Sequence, residues 1–302
     1  MAKAFGFVDY GGPETQEFLD RPVLEPGPGQ LAIAVSAAGV NPVDWKVRMG
    51  LLGREREVPV VMGQEASGVV LQVGPGVAGF TPGDEVFGLA AAGSYAEQTL
   101  MRAELSALKP EGVGFDQAAV LPVSAATADD AIRDLGLGAG RTLLILGIAG
   151  GVGSAAAQIA RSRGLTVLGT ASDASRAHVE SFGAVPVRYG DGVVERIADA
   201  APGGVDGILD LVGGDALRAA VPALKDRAEL VSTADPATVA ELGGRYITRS
   251  TTSETLAALA SLVATGELDP YITGRYPLAH AAEALALVES GHARGKVVLE
   301  VS

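Results

Sequence analysis

Short apolar runs, each closed by glycine and proline, set the rhythm of the first 120 residues. Leu31–Val35, Ser67–Val73 and Glu85–Gly88 sit beside the turn signals Pro26–Gly29, Gly74–Gly76 and Pro82–Asp84. Strands this short and this closely punctuated predict a compact β-rich domain. From about Leu121 the rhythm changes. Arg141–Leu146 runs into an unbroken apolar stretch, as a parallel strand covered on both faces should. A glycine turn follows, and then a helix with Val152, Ala155, Ala156 and Ile159 on one face.

The same alternation continues downstream. Leu165–Gly169, Ala184–Val187, Val205–Leu211 and Glu229–Ser232 read as strands, Arg245–Thr248 as a weaker one, and Ala174–Phe182 as a helix. Repeated strand–helix units predict a parallel sheet with right-handed crossovers, a doubly wound α/β domain. Leu256, Leu259, Ala260 and Val263 mark another helix face, expected to be capped by Ser253 and closed at Gly266. Gly295–Val301 reads as a final strand.

Composition narrows the chemistry. Hydrophobic residues make up 48% of the 302 and charged residues 20%, the balance of a folded globule. Lys and Arg number 23 against 36 Asp and Glu, giving −13, and only five of the basic residues are Lys. That balance argues against a nucleic-acid surface or a patch for anionic lipid. Cysteine is absent, which removes disulfides, thiolate nucleophiles and cysteine-ligated zinc together. Met1–Tyr10 carries Lys3 and Asp9 without a long apolar core, and no stretch is long enough to span a bilayer, so a cytoplasmic protein is expected.

The glycine turn is Gly147-x-x-Gly150-x-x-Gly153, with Gly151 and Val152 inside it. Lacking Cβ atoms, such a backbone can approach a pyrophosphate and meet its charge with free N–H groups at the helix start. Placed between a buried strand and an α/β series, it points to dinucleotide binding. At the end of the next strand stand Thr170, Ala171, Ser172, Asp173 and Arg176. Ala171 brings no carboxylate against a 2′-phosphate, Ser172 can donate to it, and Arg176 offers a guanidinium fork, which favours NADPH. Asp173 would suit the ribose hydroxyls of NADH. The plainer alternative makes Ser172 or Asp173 a helix cap and Arg176 a solvated side chain.

These features lie within a longer ordered set. Tyr10–Pro13, Glu25–Gln30, Gly39–Lys46, Gly63–Val70, Val73–Gly76, Gly83–Gly88, Gly93–Glu97, Leu121–Pro122, the glycine turn and Gly295–Val298 carry it. Nearly end to end, the chain resembles the zinc-independent quinone oxidoreductases, the ζ-crystallin-like branch of the medium-chain dehydrogenase/reductase superfamily. The resemblance implies a GroES-like catalytic β domain over residues 1–118 and 268–302. It implies a Rossmann dinucleotide-binding domain over 119–267, and an active site in the cleft where the two meet. Zinc-dependent relatives carry a cysteine at the position of Asn41 and a histidine at that of Gln64, and their cysteine-rich zinc loop has no counterpart here. His178, His280 and His292 lie far apart and read as surface or helix-end residues.

By the same resemblance Asn41–Lys46 is a loop lining the nicotinamide pocket. Asn41 would orient substrate or ribose and Asp44 would hold a neighbouring loop. Lys46 would stabilise a developing enolate oxygen and help protonate the adjacent carbon; a turn former and a solvated side chain are the plainer readings of Asp44 and Lys46. Gln64 and Tyr95 would border the substrate, Tyr95 being equally readable as a core aromatic. Thr127 would lie near the nicotinamide ribose, Tyr189 at the adenine ribose phosphate, and Val212, Gly213 and Ser232 beside the nicotinamide. Trp45 is expected to pack, and Arg294 and Lys296 to sit at a solvated start of the last strand, an approach to the cofactor being the alternative. The function implied is NADPH-dependent reduction of small-molecule quinones or α,β-unsaturated carbonyls by a homodimer joined through Rossmann edge strands. A pathway-specific enoyl reductase and a low-turnover NADPH-binding protein are the alternatives.

Overall fold

The computed structural model describes residues 1–225 and 229–301. Its contacts divide the chain into two units. One comprises Met1–Val123, Thr251–Gly266 and the segment from Pro270 onward; the other comprises Ser124–Ser250 and Glu267–Asp269.

In the first unit the long strand Gln30–Val40 is the organiser. It pairs antiparallel with Glu65–Val73, Gln98–Leu108 and Lys296–Glu300. Because Glu85–Ala90 bridges Glu65–Val73 to Gln98–Leu108, four strands close on themselves and leave few bare edges. Their inward side chains, among them Leu31, Ile33, Val35, Val70, Val86 and Met101, form one buried cluster. Phe5 and Phe7 join it from a small antiparallel sheet built on Ala2–Phe7.

The second unit carries six parallel strands, in chain order Thr142–Leu146, Thr166–Ala171, Val185–Arg188, Gly207–Asp210, Leu230–Ser232 and Arg245–Tyr246. Taken in that order they lie 3-2-1-4-5-6 across the sheet, so the winding reverses between the first and the fourth. In sheets of this kind a ligand sits at the carboxyl ends of the strands, at that reversal. Leu143–Leu146 are all buried, in keeping with their unbroken apolar run.

Three local expectations change. Asn41–Lys46 is not a loop: Pro42–Arg48 is a helix, with Asn41 as its N-cap and Pro42 at the first position, where a missing N–H costs nothing. The helix Ser253–Ala264 is capped by Thr252, whose side chain accepts from Thr255 N. Ser253 instead donates to the carbonyls of Ala103 and Glu104, which holds this helix against Gln98–Leu108 in the first unit. The sequence places that helix with the parallel sheet, because a helix after a strand series reads as one more crossover.

Candidate cofactor and active site

The glycine turn follows Thr142–Leu146 directly, and the helix Gly151–Ser162 begins inside it with Gly150 as N-cap. No side chain caps this end, so the first-turn N–H groups remain free for an anion. Gly147 takes φ +80°, a conformation that favours glycine. A Cβ on Gly153 would lie 2.5 Å from the Gly147 carbonyl oxygen and 2.6 Å from Ile148 Cα, whereas one on Gly150 would meet nothing nearer than 3.6 Å. Gly153 is therefore required by the fold, while Gly150 leaves open space above the turn. Together these features fit a pyrophosphate.

Across the reversal the fourth strand ends, beside Ser232 of the fifth, on a residue that no sequence motif marked, the fully buried Asp210. Its Oδ1 accepts from the backbone N–H of Val212 and Gly213, at 3.0 and 2.8 Å, and its Oδ2 from the Ser232 hydroxyl at 2.6 Å. Ser232 Oγ accepts in turn from the N–H of Ala234 and Asp235. Val212, Gly213 and Ser232 are thus brought together, but the Ser232 hydroxyl serves the strand ends. Thr127 lies half-buried on the helix Ala126–Leu135 of the same unit.

At the end of the second strand a cavity of about 500 Å³ is lined by Ser172, Asp173, Arg188, Tyr189, Asp191 and Arg196 among others. Ser172 and Tyr189 are thus brought to one cavity. Arg176 does not line it and pairs along its own helix with Glu180 at 3.2 Å. His178 stands in the last turn of the helix Arg176–Ser181, half-buried, with Nε2 3.1 Å from the Ser154 hydroxyl.

The first unit holds a buried polar network. Asn41 Nδ2 donates to Glu65 Oε1 at 2.8 Å and its Oδ1 accepts from Lys296 Nζ at 2.5 Å. Lys296 also reaches Glu65 Oε1 at 3.0 Å, and Glu65 Oε2 accepts from Val123 N. Asp44 Oδ2 accepts from Asn41 N and from the Tyr95 hydroxyl, at 2.8 and 2.7 Å. Lys296 is 4% exposed and Glu65 and Tyr95 are fully buried. Lys296 therefore does not sit at a solvated strand start, and Tyr95 is a core residue holding Asp44 in place. Asn41 spends its amide inside the network. Lys46 differs: half-buried, its Nζ lies 5.8 Å from the Trp45 ring centroid. Trp45 packs against the core as expected, and Gln64 lies half-buried.

Burial raises the Asp44 carboxyl from 3.8 to about 7, opposed by its hydrogen bonds from Tyr95 and Asn41 and reinforced by the charge of Glu65. Oδ1 has no hydrogen-bond partner among the described residues, so nothing there offsets the cost of burying a charge. Between those values the folded protein keeps a proton that the unfolded chain has lost, so stability falls as pH rises from about 4 to about 7 and then levels. Asp44→Asn, which mimics the neutral acid, should gain on the parent by about 1–3 kcal/mol between pH 5 and pH 8. Urea midpoints of both proteins at the two pH values check this, and an unchanged difference refutes it.

Among the described residues no group of three or more His, Cys, Asp or Glu could hold a metal ion, and no helix is long and apolar enough to cross a membrane. Comparison with known proteins adds the following. Residues 27–126 match the family description "Alcohol dehydrogenase GroES-like domain" and residues 183–299 match "Zinc-binding dehydrogenase". The chain is 33% identical to the chloroplastic NADPH-dependent alkenal/one oxidoreductase of Arabidopsis thaliana, over 98% of this chain and 79% of that protein. The quinone oxidoreductase of Coxiella burnetii superposes with a TM-score of 0.92 at 31% identity, covering 100% of this chain and 99% of the other. The Escherichia coli quinone oxidoreductase complexed with NADPH superposes at 0.90 with 26% identity, over 99% of this chain and 100% of the other.

Proposed function

Because the chain belongs to the medium-chain dehydrogenase/reductase superfamily, with quinone and alkenal/one oxidoreductases among its relatives, we propose that it is an NADPH-dependent reductase of quinones or α,β-unsaturated carbonyls. The observation that carries this is the open glycine turn: free N–H groups at a helix start, with unfilled space above Gly150, at the reversal of a parallel sheet. When bound, the reduced nicotinamide supplies the hydride. The residues of this chain hold the carrier and steady the charge that appears on the acceptor's oxygen.

Zinc does not fit the donor set. The oxygens of Asn41 and Glu65 that a divalent cation would need already face the Lys296 ammonium, and two like charges cannot share that buried space. The polarising group is therefore an organic donor. Lys46 suits the role because its ammonium, near the Trp45 ring, makes no hydrogen bond or ion pair among the described residues, while Lys296 is committed to the network. It donates to the carbonyl oxygen as hydride arrives and can pass a proton to the neighbouring carbon, directly or through water.

NADPH consumption across a panel of quinones and enones tests the reading. Lys46→Ala should lower kcat about a hundredfold, the usual loss for one oxyanion donor, with the NADPH Kd within about twofold of the parent. An unchanged kcat removes Lys46 from the mechanism, and tight NADPH binding without any acceptor overturns the reductase. We further place the protein in the cytoplasm as a homodimer joined at the edge strand Arg245–Tyr246 of the parallel sheet, whose outer side offers a pairing edge. A monomer mass by light scattering on the same preparation would count against the dimer.

A further inference from the structure

The cavity beyond the second strand holds a charge arrangement that the sequence did not display. Arg188 ends the third strand level with Ala171, the last residue of the second, so its side chain starts beside Ser172 and Asp173. Its Nε lies 3.5 Å from Asp173 Oδ2, and both side chains are about two-thirds exposed, at 66 and 64%. A pair so exposed contributes little and exchanges readily. Behind it Arg196 donates from Nε to the Arg188 carbonyl at 2.9 Å and from Nη2 to the carbonyls of Tyr189 and Gly190. Arg196 thus fixes the backbone that carries Arg188 without using the Arg188 guanidinium.

The cavity's charges balance: Asp173 and Asp191 stand against Arg188 and Arg196. A doubly charged phosphate entering a balanced site must draw a guanidinium from a carboxylate. Arg188 is the one held only by an exposed pair, and a phosphate offers it a bidentate fork that a single carboxylate contact at 3.5 Å does not. Arg176, outside the cavity and paired with Glu180, is not so placed.

We propose that Arg188, restrained in the free protein by Asp173, reads the 2′-phosphate of NADPH, and that Asp173 sets how strongly NADPH is preferred over NADH. The inference rests on the cofactor reading above and adds to it the residues that discriminate. In the nicotinamide-free state Asp173 neutralises Arg188. With NADPH bound, Arg188 turns to the phosphate and Asp173 is left as a repulsive neighbour; with NADH bound, the pair stays closed and Asp173 can accept from the ribose hydroxyls.

Calorimetric titration with 2′,5′-ADP and with 5′-AMP tests this without turnover, and each variant's melting temperature reports its fold. Arg188→Ala should weaken 2′,5′-ADP about ten- to a hundredfold and 5′-AMP less than about twofold, as loss of a charge-assisted bond to one group predicts. Asp173→Asn should tighten 2′,5′-ADP about two- to fivefold, the scale of an exposed pair. In the Arg188→Ala background Asp173→Asn should tighten 2′,5′-ADP less than it does in the parent, because the repulsion remains there but the competition for Arg188 does not. Equal losses for both nucleotides in Arg188→Ala, no loss for either, or a selective loss in Arg176→Ala instead would overturn the proposal while leaving NADPH binding intact. Failure of the parent to bind either nucleotide would sink the cofactor reading and this inference with it.

Discussion

Lys296→Met should cost the protein about 3–5 kcal/mol of stability, the scale of a buried pair that loses one partner. The ammonium is 4% exposed and donates to Asn41 and Glu65, and Glu65 has no solvent exposure at all. Removing the cation leaves a carboxylate whose remaining donors among the described residues are Asn41 Nδ2 and Val123 N. Neutralising that carboxylate as well, in Lys296→Met with Glu65→Gln, should restore at least half of the loss, because the penalty belongs to the unpaired charge. Urea denaturation of both variants decides it. A single variant as stable as the parent, or a double variant worse than the single one, would show that the pair is incidental.

The glycine turn gives the second large effect, and its two inner glycines should separate. A methyl at Gly153 meets only backbone, at 2.5 to 2.7 Å, so neither the turn nor the helix can yield cheaply. Gly153→Ala should lose about 1–3 kcal/mol of stability through overpacking and weaken NADPH at least about tenfold as the turn deforms. Gly150 has φ −79° and open space, so Gly150→Ala should melt with the parent. Its methyl would nevertheless stand where the pyrophosphate comes down, and NADPH should weaken about tenfold or more with the fold intact. Full binding by Gly150→Ala would move the pyrophosphate elsewhere; parental stability in Gly153→Ala would refute the steric argument.

What the sequence made legible follows a physical line. The strand Thr142–Leu146, the turn and the helix Gly151–Ser162 are neighbours along the chain, so local pattern and backbone freedom define them. The parallel series was readable for the same reason. Charged residues were not. Lys296 looks like a solvated lysine because its partners Asn41 and Glu65 lie 255 and 231 residues away, and nothing near it in sequence announces them. Asp210 escaped notice because a buried carboxylate that binds backbone N–H groups has no spacing signature. Arg176 suggests itself because it follows Ser172 closely along the chain, whereas Arg188 reaches that place only by strand pairing. Tyr95 reads equally as pocket or core, and its contact with Asp44 distinguishes the two.

The strand Lys296–Glu300 lies inside its sheet, between Ile272–Pro277 and Gln30–Val40. A ribosome emits it long after the partner it must join. Until then Ala37–Val40 waits with one side unpaired and Glu65 without its cation, while the contiguous segment Ser124–Ser250 can already assemble. Nascent chains stalled before residue 296 should therefore expose the early strands to chaperones and proteases while protecting the later half. Pairing across so long a loop is also the step expected to govern how fast the whole chain matures.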